Sequence, residues 1–348
     1  MNHLERFHAV MNFQPVDRLP RIEWASWWDE TIDRWRAEGL PDGDRYELYR
    51  HFGLDVYYQY WFGPRARTLP KPASHGGAVV ASHEDYDRLR PHLFPPFDQD
   101  RPRLEDWAAQ QARGEAVLWI TLDGFFWFPR SLMGIEPHLY AFYDQPDLMH
   151  RINQDLADYN IAILKWLASF CRPAFMTFAE DMSYNHGPML SRGQFEEFLL
   201  PYYRQVVPVL NEMGTRVLVD TDGDVTAMVP WLQAAGIEGV LPLERQAGVD
   251  AAAMRRQFPR FLMIGHYDKM VMPHGEAAMR AEFERLLPAM RSGGFIPSVD
   301  HQTPPGVSLE SFRVYARLFR EYAERAVSSH AQKNLRASDG RGVAAGED

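Results

Sequence analysis

The sequence predicts an α/β fold with parallel strands, and three observations predict it. Eight short apolar runs, most of them rich in β-branched or aromatic residues, recur along the 348 residues. Stretches with apolar residues every third or fourth position lie between most of them. Glycines fall where those helical stretches should stop. Strand then helix, repeated, requires crossover connections and therefore parallel pairing.

The runs are 19–24, 56–60, 117–122, 174–179, 216–219, 239–241, 261–264 and 295–299. Helical periodicity is clearest over 194–213, 225–235, 251–258 and 276–290, with Gly214, Gly236 and Gly293 at the expected ends. Prolines at 64, 70, 72, 91, 95, 96 and 102 break 29–113 into short pieces, which reads as an elaboration of the first strand–helix units. A last helix is expected over 312–325. The segment 326–348, rich in Ser, Gly, Ala and charge, is expected to be a disordered tail. The expected organisation is one domain over 1–325 followed by that tail.

Composition narrows the function. The chain is 46% hydrophobic with 10 Trp, 15 Tyr and 21 Phe, enough to fill a large core. It carries 47 acidic and 37 basic residues, a net charge of -10, which disfavours phosphate backbones and anionic lipid. The expectation is a cytoplasmic protein that binds neither nucleic acid nor membrane. The polar start at 1–10 does not read as a signal peptide, and the most apolar stretch, 161–170, is interrupted by Lys165. One cysteine, Cys171, permits no disulfide within the chain and no thiolate zinc cluster.

In a barrel of parallel strands the catalytic groups lie at the C-terminal strand ends. The residues closing the runs are Glu23 and Trp24, Asp123, Glu180 and Asp181, Asp220 and Asp222, Glu244, His266 and Asp268, and Asp300 and His301. Seven of the eight runs end this way. Any one of these carboxylates could simply cap the next helix. Together they predict a mouth of carboxylates and imidazoles lined by Trp24, Trp27, Trp28, Phe125, Phe126 and Trp127, although an aromatic stripe equally suits plain core.

The run ending Asp220-Thr-Asp222-Gly-Asp224 admits three explanations. A dehalogenase-type nucleophile loop normally has Thr or Val where Asp224 stands. A calcium loop of the EF-hand type needs Gly at its sixth position and Glu at its twelfth, where this chain has Val225 and Trp231. What remains is a strand end offering two carboxylates to a pocket, with Asp224 placed to cap the following helix. No phosphate loop, serine elbow or paired-histidine zinc helix is present.

The ordered motifs resemble the uroporphyrinogen decarboxylase superfamily. They are Pro15-Val-Asp-Arg-Leu-Pro20, Ser131-Leu-Met-Gly134, Tyr143-Asp-Gln-Pro146, Glu180-Asp181 before Gly187-Pro-Met-Leu-Ser191, and Phe198-Leu-Leu-Pro201. Asp222-Gly223, Pro242-Leu-Glu244, Gly265-His-Tyr-Asp268 and Gly293-Gly-Phe-Ile296 before Asp300-His301 continue the series. The resemblance spans roughly residues 4–325 and implies a single (β/α)8 barrel, often dimeric. It implies either decarboxylation of uroporphyrinogen or methyl transfer among corrinoids, thiols and methylated substrates.

Departures from the family pattern choose the branch. Decarboxylases carry Arg-Gln-Ala-Gly-Arg-Tyr at the first strand; this chain has Pro20-Arg-Ile-Glu-Trp-Ala-Ser-Trp-Trp28, in which Arg21 alone could hold a carboxylate. The thiol-methylating branch binds zinc through His-x-Cys and a distant Cys, where Asp220 and Asp222 stand here. The expected function is methyl or one-carbon transfer from a small aromatic or sugar-like substrate, with a corrinoid partner protein left open. The alternatives are a decarboxylase or lyase and a ligand-binding barrel without catalysis. His301, Asp220, Asp123 and Asp181 are the expected catalytic residues. Arg21, Glu23, Trp24, Phe126, Trp127, Asp222, Glu244 and Asp300 are expected to bind substrate. Asp220, Asp222, His266 and His301 either hold a divalent metal or make hydrogen bonds without one.

Overall fold

Seven of the eight apolar runs become strands in the computed structural model, which describes residues 1–74 and 76–339. The chain divides into two units: residues 1–56, 251–260 and 264 onward form the first, and residues 57–250 with 261–263 form the second.

The second unit holds β1 (Tyr57–Phe62), β2 (Val117–Asp123), β3 (Phe175–Ala179), the two-residue hairpin strands β4 (Ser183–Tyr184) and β5 (Gly187–Pro188), β6 (Arg216–Thr221) and β7 (Gly239–Pro242). The start of β8 (Leu262–Tyr267) completes it. The larger strands lie in the order β1-β2-β3-β6-β7-β8, every pair parallel. Every residue of β2 and β3 is buried, as expected where a parallel sheet is covered on both faces.

Register places polar side chains in rows across the sheet. Trp119 Nε1 donates to Thr177 Oγ1 at 2.9 Å, Gln59 Nε2 donates to Thr121 Oγ1 at 3.0 Å, and the Thr121 and Thr177 hydroxyls lie 3.1 Å apart. Two residues further on, Asp123 pairs with Ala179 and Ala179 with Asp220. Asp123 and Asp220 therefore share a face and a row, about 10 Å apart at two strand spacings.

The expected helix over 194–213 is two helices, Arg192–Phe198 and Leu200–Met213, because Pro201 opens a new first turn. Gly214 stops the second at φ 71°, as its position suggested. Asp224 accepts from the Thr226 N–H at 2.9 Å, but the short helical turn Thr226–Met228 has Val225 at its cap position, so the expected helix cap is not formed by Asp224.

The first unit contains the one run that is not a strand. Residues 19–24 are extended but join no ladder, partly because Pro20 has no N–H. Their backbone groups bond elsewhere: Leu19 N–H to the Ala323 carbonyl (3.0 Å), the Arg21 carbonyl to Asp55 N–H (2.9 Å) and Trp24 N–H to Ser298 Oγ (3.0 Å). Ser298 lies in β9 (Phe295–Val299), next in the strand order after β8. Side chains thus replace the missing ladder. Glu23 accepts from Ser298 Oγ (2.6 Å), Val299 N–H (3.2 Å) and Tyr315 Oη (2.6 Å). Trp27, Trp35, Phe52 and Phe312 pack with ring centroids 4.7–5.8 Å apart and anchor the segment's other end.

The last helix runs Leu309–Asp339, longer than the expected 312–325. The end of the expected tail, 340–348, lies outside the described residues. Among the described residues no helix is long and apolar enough to cross a membrane.

Ser298→Ala removes a donor to a buried carboxylate and an acceptor for a backbone N–H at once, so it should lower unfolding stability by about 2–3 kcal/mol. Urea titration of the variant checks this; a change within about 0.5 kcal/mol would contradict the role given to Ser298.

Candidate active site

The turn after β2 is held by a buried carboxylate. Glu180 accepts the N–H groups of Phe125 (2.8 Å), Phe126 (2.7 Å) and Trp127 (3.1 Å), with the Tyr203 hydroxyl as a fourth donor. These are the orphan amides that open the helix Trp127–Met133. Gly124 lets the carboxylate approach, since a Cβ there would stand 2.0 Å from the Glu180 carboxyl carbon. Burial pushes Glu180 up to about 7 against those donors.

Beyond that turn, four acids gather. Asp181 follows Glu180, and both backbone N–H groups reach the Asp220 carbonyl, at 3.2 and 2.9 Å. Glu244 Oε2 accepts the N–H of Gly223, next to Asp222, at 2.9 Å. Gly223 sits at φ 81° with its α-carbon so close to Tyr184 that a Cβ would lie 2.5 Å from that backbone. Asp181 and Leu243 hold φ values of 45° and 61°, as Phe13, Phe94 and His266 also hold positive φ. Such non-glycine outliers cost about 1–3 kcal/mol each and cluster at functional sites.

The four acids differ in their partners. Asp181 has Arg130, whose Nη1 lies 3.1 Å from Oδ2 and 2.7 Å from the Asp181 carbonyl. The Asp220 carboxyl accepts no hydrogen bond among the described residues, although part of the residue stays open to solvent. Its deep placement, with Asp222 and then Asp181 adding like-charge repulsion, raises it well above the ordinary carboxylate range. The direction favours a neutral carboxylic acid, a proton donor beside carboxylates.

Several expected site residues are occupied otherwise. Asp123 has no exposed surface and is held by Trp61 Nε1 (2.7 Å) and Arg65 Nη2 (2.9 Å); burial, opposed by these two, pushes it up. It positions Trp61 and Arg65, two residues the strand-end pattern did not single out because β1 closes in aromatics. Phe126 is fully buried against His138 (4.7 Å between centroids) and is core, unable to touch substrate. Trp127 is partly exposed, 5.2 Å beneath the Arg130 guanidinium. Arg130 itself was invisible to reasoning from strand ends, because it lies one turn into the following helix.

The remaining candidates belong to the first unit. Glu23 is fully buried by its three donors and raised to about 7, which makes it a structural tie. Arg21 lies 3.7 Å from buried Asp55, already bidentate with Arg18, two residues before β1 begins. Asp300 is buried and paired with Lys269 Nζ at 3.0 Å. Trp24 donates to the Val299 carbonyl (2.6 Å) and meets His301 edge to face, centroids 6.4 Å apart.

The expected metal set is divided between the units, Asp220 and Asp222 in the second and His266 and His301 in the first. His266 Nε2 accepts the Ala251 N–H at 3.1 Å and lies 3.0 Å from Arg285 Nη1, so that lone pair is engaged. Among the described residues no group of three or more His, Cys, Asp or Glu is arranged to hold a metal ion. Cys171 is buried four residues before β3, its thiol pushed up to about 12 by burial. The donors of a thiolate zinc centre are therefore lacking.

Parallel strands in chain order, with acids at their C-terminal ends, define a barrel-type α/β protein of the enzyme-bearing kind. The uroporphyrinogen decarboxylase (URO-D) family model matches residues 111–322, and the chain belongs to that family. Among solved structures it is similar to a methyltransferase from Methanosarcina mazei, at 13% identity over 92% of this chain and 99% of that one, with a TM-score of 0.63. It is also similar to a putative vitamin-B12-independent methionine synthase from Listeria monocytogenes, at 12% identity over 90% and 98%, with a TM-score of 0.50. At these identities the likeness carries the fold, a TIM-barrel-like architecture. No functionally curated protein matches the chain.

Glu180 ties stability to pH. Its carboxyl ordinarily titrates at 4.5 and in the folded chain at about 7, so between those values the folded state keeps a proton the unfolded state has lost. Its contribution is full below pH 4.5 and is lost as pH rises to about 7, worth on the order of 3 kcal/mol. Unfolding free energies from pH 4.5 to 8 should fall less steeply in Glu180→Gln than in the wild type; equal slopes would contradict the assignment.

Proposed function

We propose that this URO-D family member transfers a methyl group from a small neutral methyl ether or methylamine, with Asp220 as the general acid. The observation that carries this reading is the Asp220 carboxyl, deep, without a hydrogen-bond donor among the described residues and flanked by Asp222 and Asp181. A methyl ether or methylamine loses its methyl group readily only if the leaving oxygen or nitrogen gains a proton as the bond to carbon breaks. Asp220 supplies that proton and becomes a carboxylate. Asp222 adds like-charge repulsion to Asp220, Glu244 accepts the neighbouring Gly223 N–H, and Arg130 holds Asp181 in place.

The acceptor in this reading is a soft nucleophile, a thiolate or a reduced corrinoid carried by a partner protein, and it takes the methyl group as substrate. A proton donor at this position would equally serve decarboxylation, in which a carbanion is protonated after carbon dioxide leaves. Substrate charge separates the two. Asp181, Asp222 and Glu244, with Arg130 already bound to Asp181, disfavour a polycarboxylate.

A panel of small methyl ethers and methylamines, assayed with reduced cobalamin as acceptor, should show formation of methylcobalamin. Asp220→Asn should lower that rate by about 10²–10⁴. Wild-type activity should decline as pH rises through the raised Asp220 value, because the base form cannot donate. Carbon dioxide release from uroporphyrinogen, without methyl transfer, would overturn the proposal in favour of the decarboxylase reading.

A further inference from the structure

We propose that the cavity at the C-terminal end of β1 is a second binding site, for an aromatic carboxylate, separate from the acid cluster. The cavity encloses about 580 Å³ between the end of β1, the loop that follows it, residues 95–99 and Tyr159. That volume falls in the range of small-molecule sites.

Its chemistry runs against that of the chain. The protein has a net charge of -10, yet the residues lining this cavity include two arginines and no acid. Arg65 is engaged, with Nη2 on Asp123 Oδ2 at 2.9 Å. Arg67 is exposed and has no carboxylate partner among the described residues. An unneutralised guanidinium at the rim of an acid-free cavity favours a planar anion, which it can grip with two parallel N–H bonds.

The walls are aromatic and fixed at their polar edges. Trp61, 49% exposed, donates Nε1 to Asp123 at 2.7 Å. The Tyr60 hydroxyl is tied to Asp100 at 2.7 Å and the Tyr159 hydroxyl to the Pro95 carbonyl at 2.8 Å. Phe97 meets Tyr159 edge to face at 5.8 Å. With these edges already bonded, the carbon surfaces of the rings are what remains for a ligand. Rings held in place lose little freedom on binding, which favours a flat, rigid guest. An aliphatic acid would satisfy Arg67 and leave the walls unfilled; a neutral arene would fill the walls and leave Arg67 bare.

Calorimetric titration of the full chain with 2-naphthoate, 2-naphthylmethanol and cyclohexanecarboxylate separates these contributions. Naphthoate should bind at least tenfold more tightly than either of the others. Arg67→Ala, a surface change that leaves the core intact, should reduce naphthoate to the affinity of the alcohol, and Trp61→Phe should weaken it severalfold. Asp220→Asn should leave naphthoate binding unchanged, so failure of the proton-donor reading and failure of this one are distinguishable. The proposal is overturned by the absence of saturable naphthoate binding at millimolar concentration, by equal binding of the three probes, by unchanged affinity in Arg67→Ala, or by loss of binding in Asp220→Asn.

Discussion

Carboxylates a few ångströms apart at a poorly solvated strand end cannot all carry charge. Two unit charges 4 Å apart repel by about 4 kcal/mol at an effective dielectric of 20, so a proton held between them is strongly favoured. In the second unit Asp222 and Asp181 raise the Asp220 carboxyl by such like-charge repulsion, added to its burial. Arg130 pairs with Asp181, and the Gly223 amide is turned to Glu244. Asp220 receives no donor among the described residues, and burial with like-charge repulsion raises its carboxyl well above the ordinary range.

The other buried carboxylates each meet hydrogen-bond or ion-pair donors. Glu23 has a serine, a tyrosine and an amide; Glu180 has three amides and a tyrosine; Asp123 has an indole and a guanidinium; Asp300 has Lys269. Each is an anchor whose donors belong to a neighbouring segment, so the acid fastens two parts of its own unit. A strand-end acid with a complete donor set is structural, and one left without donors beside other acids is available for chemistry. The distinction follows from the rule that buried polar groups are paired unless function requires otherwise.

The sequence made strand positions legible, because a buried parallel strand must be apolar and must be followed by residues that turn the chain. It therefore located the acids at 123, 180–181, 220–222 and 244 correctly along the chain. It could not assign their roles, since whether Asp123 or Asp220 finds a donor depends on Trp61, Arg65 and Arg130, which lie 58–62 residues from Asp123 and 51 residues from Asp181 in sequence. Residues 19–24 had a strand's composition, but Pro20 and the side-chain ties through Glu23 and Ser298 took the place of a ladder. Phe126 looked like a platform because it follows a glycine at a strand end; the same glycine lets Glu180 draw the turn inward and bury the ring.

The protonation state of Asp220 is the most direct test of this account. Infrared difference spectra of wild type minus Asp220→Asn at neutral pH isolate the carbonyl stretch of one carboxyl group. The expected result is a protonated-acid band that belongs to Asp220 and converts to the carboxylate bands only as the pH is raised. Carboxylate bands alone at neutral pH, with no protonated-acid band lost in the variant, would contradict it.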